Sequence, residues 1–255
     1  MKDLIDLNFQ RHASQIPSEI DSMQVIQTEN ILMVDSGLCC DTFNIIHIKN
    51  GASVTKSELS KSIGHYREKD LDFCIWSNSQ NLTPELGENL RELSIFKQNE
   101  EIGMALNLKD YNFIYSDRHK NISQVTDRNT LSDYSKVLAS NWNPPDGDVI
   151  SYYEKTSEKY VNNRDGVMLF VYYDDHKPVA TVELFPSDKD TIGIYGLATL
   201  EDARGKGIGS SLMTLALNKA KALNYKNVVL QASEDGIGIY KKLGFKSHTT
   251  YREFA

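Results

Sequence analysis

Arg204-Gly205-Lys206-Gly207-Ile208-Gly209-Ser210 stands between a β-rich run, Thr191 to Leu197, and a segment whose apolar positions Ile208, Leu212, Leu215, Ala216 and Leu223 follow the helical period. A glycine-rich turn that opens a helix leaves backbone N–H groups uncovered at the positive end of the helix dipole, which favours an anionic phosphate or pyrophosphate. Without a ligand, the same residues are simply a tight structural turn. Two phosphate loops fail on spacing. The dinucleotide fingerprint G-x-G-x-x-G needs a third glycine where this chain has Ser210 or Leu212, and a P-loop needs Ser or Thr after Gly205-Lys206, where it has Gly207. ATP and NAD are therefore disfavoured.

Outward from the turn, the pattern predicts a long helix to about Asn224, the strand Val228 to Ala232, a short helix to about Leu243 and a last strand from Phe245. Upstream, Val167 to Tyr173 and Val179 to Phe185 form a hairpin across Asp174 to Pro178. Asp127 to Trp142 has helical spacing and is stopped by Pro144-Pro145, and a second helix follows from Asp148. Strand, glycine turn, helix and strand imply a parallel crossover, whereas the hairpin implies antiparallel neighbours. The expected fold class is α/β or α+β with a mixed sheet.

Arg204, Gly207 and Gly209 fit R-x-x-G-x-G, and here the chain resembles the GNAT superfamily of acyl-CoA N-acyltransferases. The resemblance covers about His119 to Ala255. It implies that Arg204, Gly205, Lys206, Gly207, Ile208, Gly209 and Ser210 hold the pyrophosphate of acetyl-CoA, with Lys206 also able to meet a phosphate. Tyr195 to Leu200 resembles the family's fourth strand, which bulges and splays from the fifth. Backbone groups around Leu197, Ala198 and Thr199 would then pair with the pantetheine arm as if it were an added strand. Leu230 to Ser233 and Ile239 to Phe245 are similar to the family's fifth strand, fourth helix and closing turn. Ser233 falls where members often carry a longer side-chain amide. Tyr240 matches the tyrosine that protonates the leaving thiolate; the same residue could instead only pack the short helix. The implied reaction is attack of a neutral amine on the acetyl thioester.

The base is open. Many members carry a glutamate where this chain has Gly193. Glu183, on the preceding strand, could reach the cleft floor or stay solvated; Tyr195 and a water chain are further options. Lys241 and Lys242 read as a solvated helix face.

Residues 1–118 precede this region, separated from 119–255 by a polar stretch from Asn107 to Ile122. Apolar residues make up 40% and charged residues 25% of the 255-residue chain, which excludes collagen-like, low-complexity and wholly disordered classes. The net charge of −7 arises in the first part, where 11 Lys and Arg face 18 Asp and Glu; the remainder carries 17 of each. That disfavours nucleic acid as a partner and would steer cationic amines. No signal peptide or long apolar run is evident, so no membrane contact and a cytoplasmic location are expected. Cys39, Cys40 and Cys74 fit neither a disulfide framework nor a zinc site; they read as buried thiols, and no metal is expected.

In the first part, Thr42 to Ile48 and Leu71 to Trp76 read as strands and Lys56 to Arg67 as an amphipathic helix. Thr83 caps a helix that runs to about Leu93 with Pro84 in its first turn, and Met104 to Leu108 closes as a strand. This order repeats the second part from its fourth strand onward, and Leu93-Ser94-Ile95-Phe96-Lys97 echoes Leu243-Gly244-Phe245-Lys246. A smaller, degenerate GNAT-like domain without a CoA motif is the expectation, as in tandem members. Trp76 and Trp142 are expected to be buried, with a cleft wall as the alternative.

Together these readings imply an acetyl-CoA-dependent N-acetyltransferase acting on a small-molecule or peptide amine as a monomer or homodimer. The rivals are a non-catalytic acyl-CoA sensor or scaffold and transfer of a longer acyl chain.

Overall fold

The computed structural model describes residues 1–162 and 166–255. In chain order the first part contains helix α1 (Lys2–Ser14), strands β1 (Gln24–Gln27), β2 (Ile31–Asp35) and β3 (Ile45–Ile48), helix α2 (Lys56–Arg67), strand β4 (Cys74–Asn78), helix α3 (Pro84–Glu92) and strand β5 (Lys97–Asn107). Then come strand β6 (Ile122–Gln124), helices α4 (Arg128–Ala139), α5 (Gly147–Lys155) and α6 (Ser157–Val161), and strands β7 (Met168–Asp174), β8 (Lys177–Pro186) and β9 (Thr191–Thr199). Helix α7 (Ile208–Ala222), strand β10 (Asn227–Ala232), helix α8 (Ile237–Lys242) and strand β11 (Lys246–Phe254) complete the chain.

All strands join one mixed sheet in the order β1-β2-β3-β4-β11-β5-β10-β9-β8-β7-β6. Among the described residues, only β3/β4 and β9/β10 pair in parallel, each across a helical crossover, as the sequence pattern predicts. The two parts exchange strands at the centre. β5 lies between β10 and β11, and β11 lies between β4 and β5. Position 118 thus divides the chain but not the sheet.

Local chemistry accounts for the helix ends. The Thr55 and Thr83 hydroxyls cap α2 and α3 by accepting from the N–H groups of Glu58 and Leu86, and Asp127 forms a reciprocal cap with Thr130 on α4. The repeat echoed in sequence is a repeated turn. Ser94 (φ +59°) and Gly244 (φ +94°) follow α3 and α8 in left-handed geometry. The N–H groups of Ile95 and Phe245 donate back to the carbonyls of Leu90 and Tyr240 at 2.9 and 3.1 Å, the Schellman arrangement.

Helix α7 covers one face of the second part through Leu212, Ala216 and Leu217, while α4 to α6 cover the other through Leu131, Tyr134 and Tyr153. Helix α1 crosses the junction, packing Ile5 and Phe9 on Trp76, Ala105, Val229 and Tyr251 from four strands. Asp6 ties it there. Its carboxylate accepts from Asn78 Nδ2 at 2.8 Å and the Tyr251 hydroxyl at 3.0 Å, and lies 3.3 Å from the buried His47 ring.

Several expectations are corrected. Residues 41–43 form a short 3-10 turn, so the strand expected from Thr42 starts at Ile45, and the strand expected from Leu71 starts at Cys74. β5 is far longer than Met104 to Leu108, because its polar first half is held by backbone pairing with β11 rather than by apolar alternation. Cys39 is exposed, unlike Cys40 and Cys74. Trp76 is buried but Trp142 is 40% exposed, beyond the end of α4 at Ala139. Among the described residues, no helix is long and apolar enough to cross a membrane.

Candidate active site

The glycine turn has the backbone its spacing predicts. Gly205 (φ +75°) and Gly207 (φ +78°) are left-handed, and Gly207 is the residue from which α7 starts. Nothing lies within 4 Å of a side chain built at Gly205, and at Gly207 the nearest atom is Arg118 Nη1 at 3.9 Å. The start of α7 is therefore an uncovered concavity of backbone donors, which fits a pyrophosphate. Ile208 is buried and anchors the helix, whereas Lys206 and Ser210 are exposed. Arg204 Nε donates to the Thr199 carbonyl at 3.0 Å, tying the turn to the end of β9. Lys206 Nζ lies 4.0 Å from the Asp174 carboxylate.

Arg118 escaped the sequence reading, which took it as linker. The next residue, His119, is fastened to α7 through Nε2 and Thr214 Oγ1 at 2.9 Å, and the exposed Arg118 guanidinium lies beside the turn. No local pattern marks the contact, since it joins positions nearly a hundred residues apart.

Below the turn the sheet opens. β9 and β10 pair only at Thr191, Ile192 and Gly193, after which they part, while β9 shifts register against β8 between Tyr195 and Ala198. The bulge centres on Gly196 (φ +55°), where a Cβ would fall 2.2 Å from the Tyr134 hydroxyl. This is the expected splay. In the first part, β3 stays paired with β4 over its whole length, so no matching gap exists there.

A cleft of about 560 Å³ begins at this gap, and Leu197, Ser233 and Tyr240 line it together. Ala198, next to Leu197, is buried, and Ser233 is exposed at the end of β10. Tyr240 is buried, and its hydroxyl is pushed up to about 12 by burial and by the nearby Glu101. Glu101 lines the same cleft from β5. Burial, then the charge of Glu253, raises its carboxyl to about 7. This carboxylate too was missed, because it belongs to the first part and arrives only through strand exchange.

Glu183 is 1% exposed, so it is not a solvated strand residue. It sits opposite Tyr195 across β8 and β9, with its Oε1 3.4 Å from His12 Nε2. The His12 ring stacks on Tyr195 at 3.6 Å. The Tyr195 hydroxyl donates to Asn8 Oδ1 at 2.6 Å, and Asn8 Nδ2 donates to the Phe185 carbonyl at 3.2 Å. Asn8 fills the place where a side chain from position 193 would project: a Cβ on Gly193 would lie 2.0 Å from its Oδ1. Helix α1 thus explains the glycine at 193. Glu183 does not line the cleft itself but a second cavity of about 210 Å³ beside it, walled by aromatic rings of Phe43, Tyr152 and Tyr153.

Residues 131–245 match the model of the Acetyltransferase (GNAT) family. Among solved structures, a GCN5-related N-acetyltransferase from Kribbella flavida is similar at a TM-score of 0.68 and 14% identity, over 96% of this chain and 94% of that one. A functionally unknown conserved protein from Staphylococcus epidermidis matches at 0.61 and 19% identity, over 92% and 94%. A tandem GNAT protein from the clavulanic acid biosynthesis pathway matches at 0.59 and 10% identity, over 99% and 92%. The described turn, splay and buried tyrosine fall within the span that matches the GNAT acetyltransferase family model, in a chain whose described residues fold like GNAT N-acetyltransferases, tandem members included.

Proposed function

We propose that this protein transfers the acetyl group of acetyl-CoA to a primary amine. The observation that carries the reading is the parting of β9 from β10 directly below the open start of α7, with Tyr240 lining the gap. Backbone amides of residues 205–210, with Arg118 and Lys206, would hold the pyrophosphate. Main-chain groups from Leu197 to Thr199 are free of β10 and would pair with the pantetheine arm, beside Ser233. Bound in this way, acetyl-CoA supplies an electrophilic thioester carbonyl.

The residues of the chain then have two proton tasks. As the amine nitrogen bonds to the carbonyl carbon and the carbon–sulfur bond breaks, the surplus amine proton goes to a carboxylate and the departing sulfur receives one from the Tyr240 hydroxyl. A phenol held near 12 remains protonated at neutral pH and can donate. We assign the acceptor carboxylate to Glu101, which lines the same cleft as Tyr240 and is held near 7, a value suited to taking a proton at physiological pH. Glu183, on β8 and three strands from β5 in the sheet, is assigned to the acceptor's binding.

Thiol release from acetyl-CoA with a panel of amines tests the reading, with cofactor affinity measured by calorimetry. Tyr240→Phe is expected to lower turnover by about a hundredfold while changing acetyl-CoA affinity by less than about threefold. Equal loss of both would remove Tyr240 from the mechanism, and no binding of acetyl-CoA by the wild type would end the proposal.

A further inference from the structure

The cleft and the aromatic cavity share His12, Tyr195 and Trp142 as a common wall, and neither is lined by Lys or Arg among the described residues. Glu183 Oε1 is buried in the smaller cavity without a hydrogen bond, and the only basic group within 4 Å among the described residues is His12 Nε2. A buried carboxylate oxygen without a partner is a free acceptor for the N–H group of a ligand cation beside it. The walls around it are tyrosine and phenylalanine rings, which suit an ammonium group and its methylene stem, since ring faces attract cations and bury CH₂ groups. A volume of about 210 Å³ admits such a head and a short stem. At the other end, Asp41, Glu101 and Glu253 make the larger cleft acidic as well.

Resting on the transfer reading above, we propose that the acceptor is an α,ω-diamine. One nitrogen is held as ammonium by Glu183 within the aromatic cavity, while the other is presented to the cleft that Tyr240 lines. A monoamine of equal length would leave the Glu183 carboxylate unpaired. The two nitrogens meet different surroundings: the anchored one keeps its proton against an ion-pairing carboxylate, and the reacting one gives its proton to Glu101.

The test compares putrescine and cadaverine with butylamine and pentylamine, both in calorimetric binding to the protein without acetyl-CoA and in thiol release with it. Wild-type protein is expected to bind and use the diamines roughly tenfold or more better than the matched monoamines. In Glu183→Gln, which preserves side-chain shape, that ratio should fall to about one to two; Trp142→Ala, at a half-exposed wall position, should lower it in the same direction. Thermal melts establish that each variant is folded. Equal use of diamines and monoamines by the wild type, or an unchanged ratio in a folded Glu183→Gln protein, overturns the proposal. Diamine binding with no thiol release from any amine would instead overturn the transfer reading, and with it the acceptor role, leaving the ligand class standing.

Discussion

Glu101 lines the cleft from β5, and its raised carboxyl value has two measurable consequences. The wild-type to Glu101→Gln ratio of kcat/KM should climb with pH through about 7 and then level, because only ionised Glu101 can take the amine proton; the ratio cancels the ionisation of the amine itself. A flat ratio would assign proton removal elsewhere. The linked effect on stability has a definite sign. A carboxyl held near 7 in the fold and near 4.5 when unfolded binds its proton more tightly when folded, so wild-type stability falls as pH rises between those values. Glu101→Gln should therefore raise the melting temperature relative to wild type at pH 8 and not at pH 4. Arg118 makes a separate prediction. If its guanidinium meets the cofactor's phosphates, Arg118→Ala should weaken acetyl-CoA binding by about tenfold, with a smaller deficit at high salt, as calorimetry at two ionic strengths would register.

Helix α1 shapes the acceptor side of the site as an element. Its Asn8 reaches the sheet at the place where a residue 193 side chain would stand, so adding one must push the helix outward, while His12 stacks on Tyr195 beside Glu183. Gly193→Ala, with its Cβ 2.0 Å from a buried amide oxygen, is expected to cost about 2–4 kcal/mol, read from denaturant unfolding. A cost under about 0.5 kcal/mol would mean that α1 moves freely. The helix carries few sequence signs of this role, because its buried positions include Asn8 and its other faces are polar. By contrast, the glycine turn, the capped helices α2 and α3 and the hairpin of β7 and β8 were legible. Their determinants are local: cap hydroxyls, glycines with positive φ and period-two alternation. β5 was only half legible, since backbone hydrogen bonds to β11 hold its polar residues and backbone pairing leaves no side-chain pattern.

For the molecule as a whole, the exchange of β5 and β11 makes the two parts interdependent. Residues 119–255 expressed alone would leave β10 and β11 without the strand that lies between them, exposing apolar edges and faces. That fragment is expected to be insoluble or molten by circular dichroism and proton NMR, and co-expression with residues 1–118 should restore a folded complex. A stable, cooperatively melting fragment would contradict this. The repeated topology was visible from the order of elements and from the paired turns at Ser94 and Gly244, but an order of elements does not say which strands are neighbours.

Short-range chemistry was enough to determine the glycine turn that opens α7, the short helix carrying Tyr240 and the mixed α/β class, because each depends on residues within a few positions of one another. Tertiary structure alone decided that Glu101, Arg118, Asn8 and His12 join the site. They lie between about 85 and 190 residues from the strands and turn they meet, and only closure of the sheet, driven by burial of its two faces, brings them there.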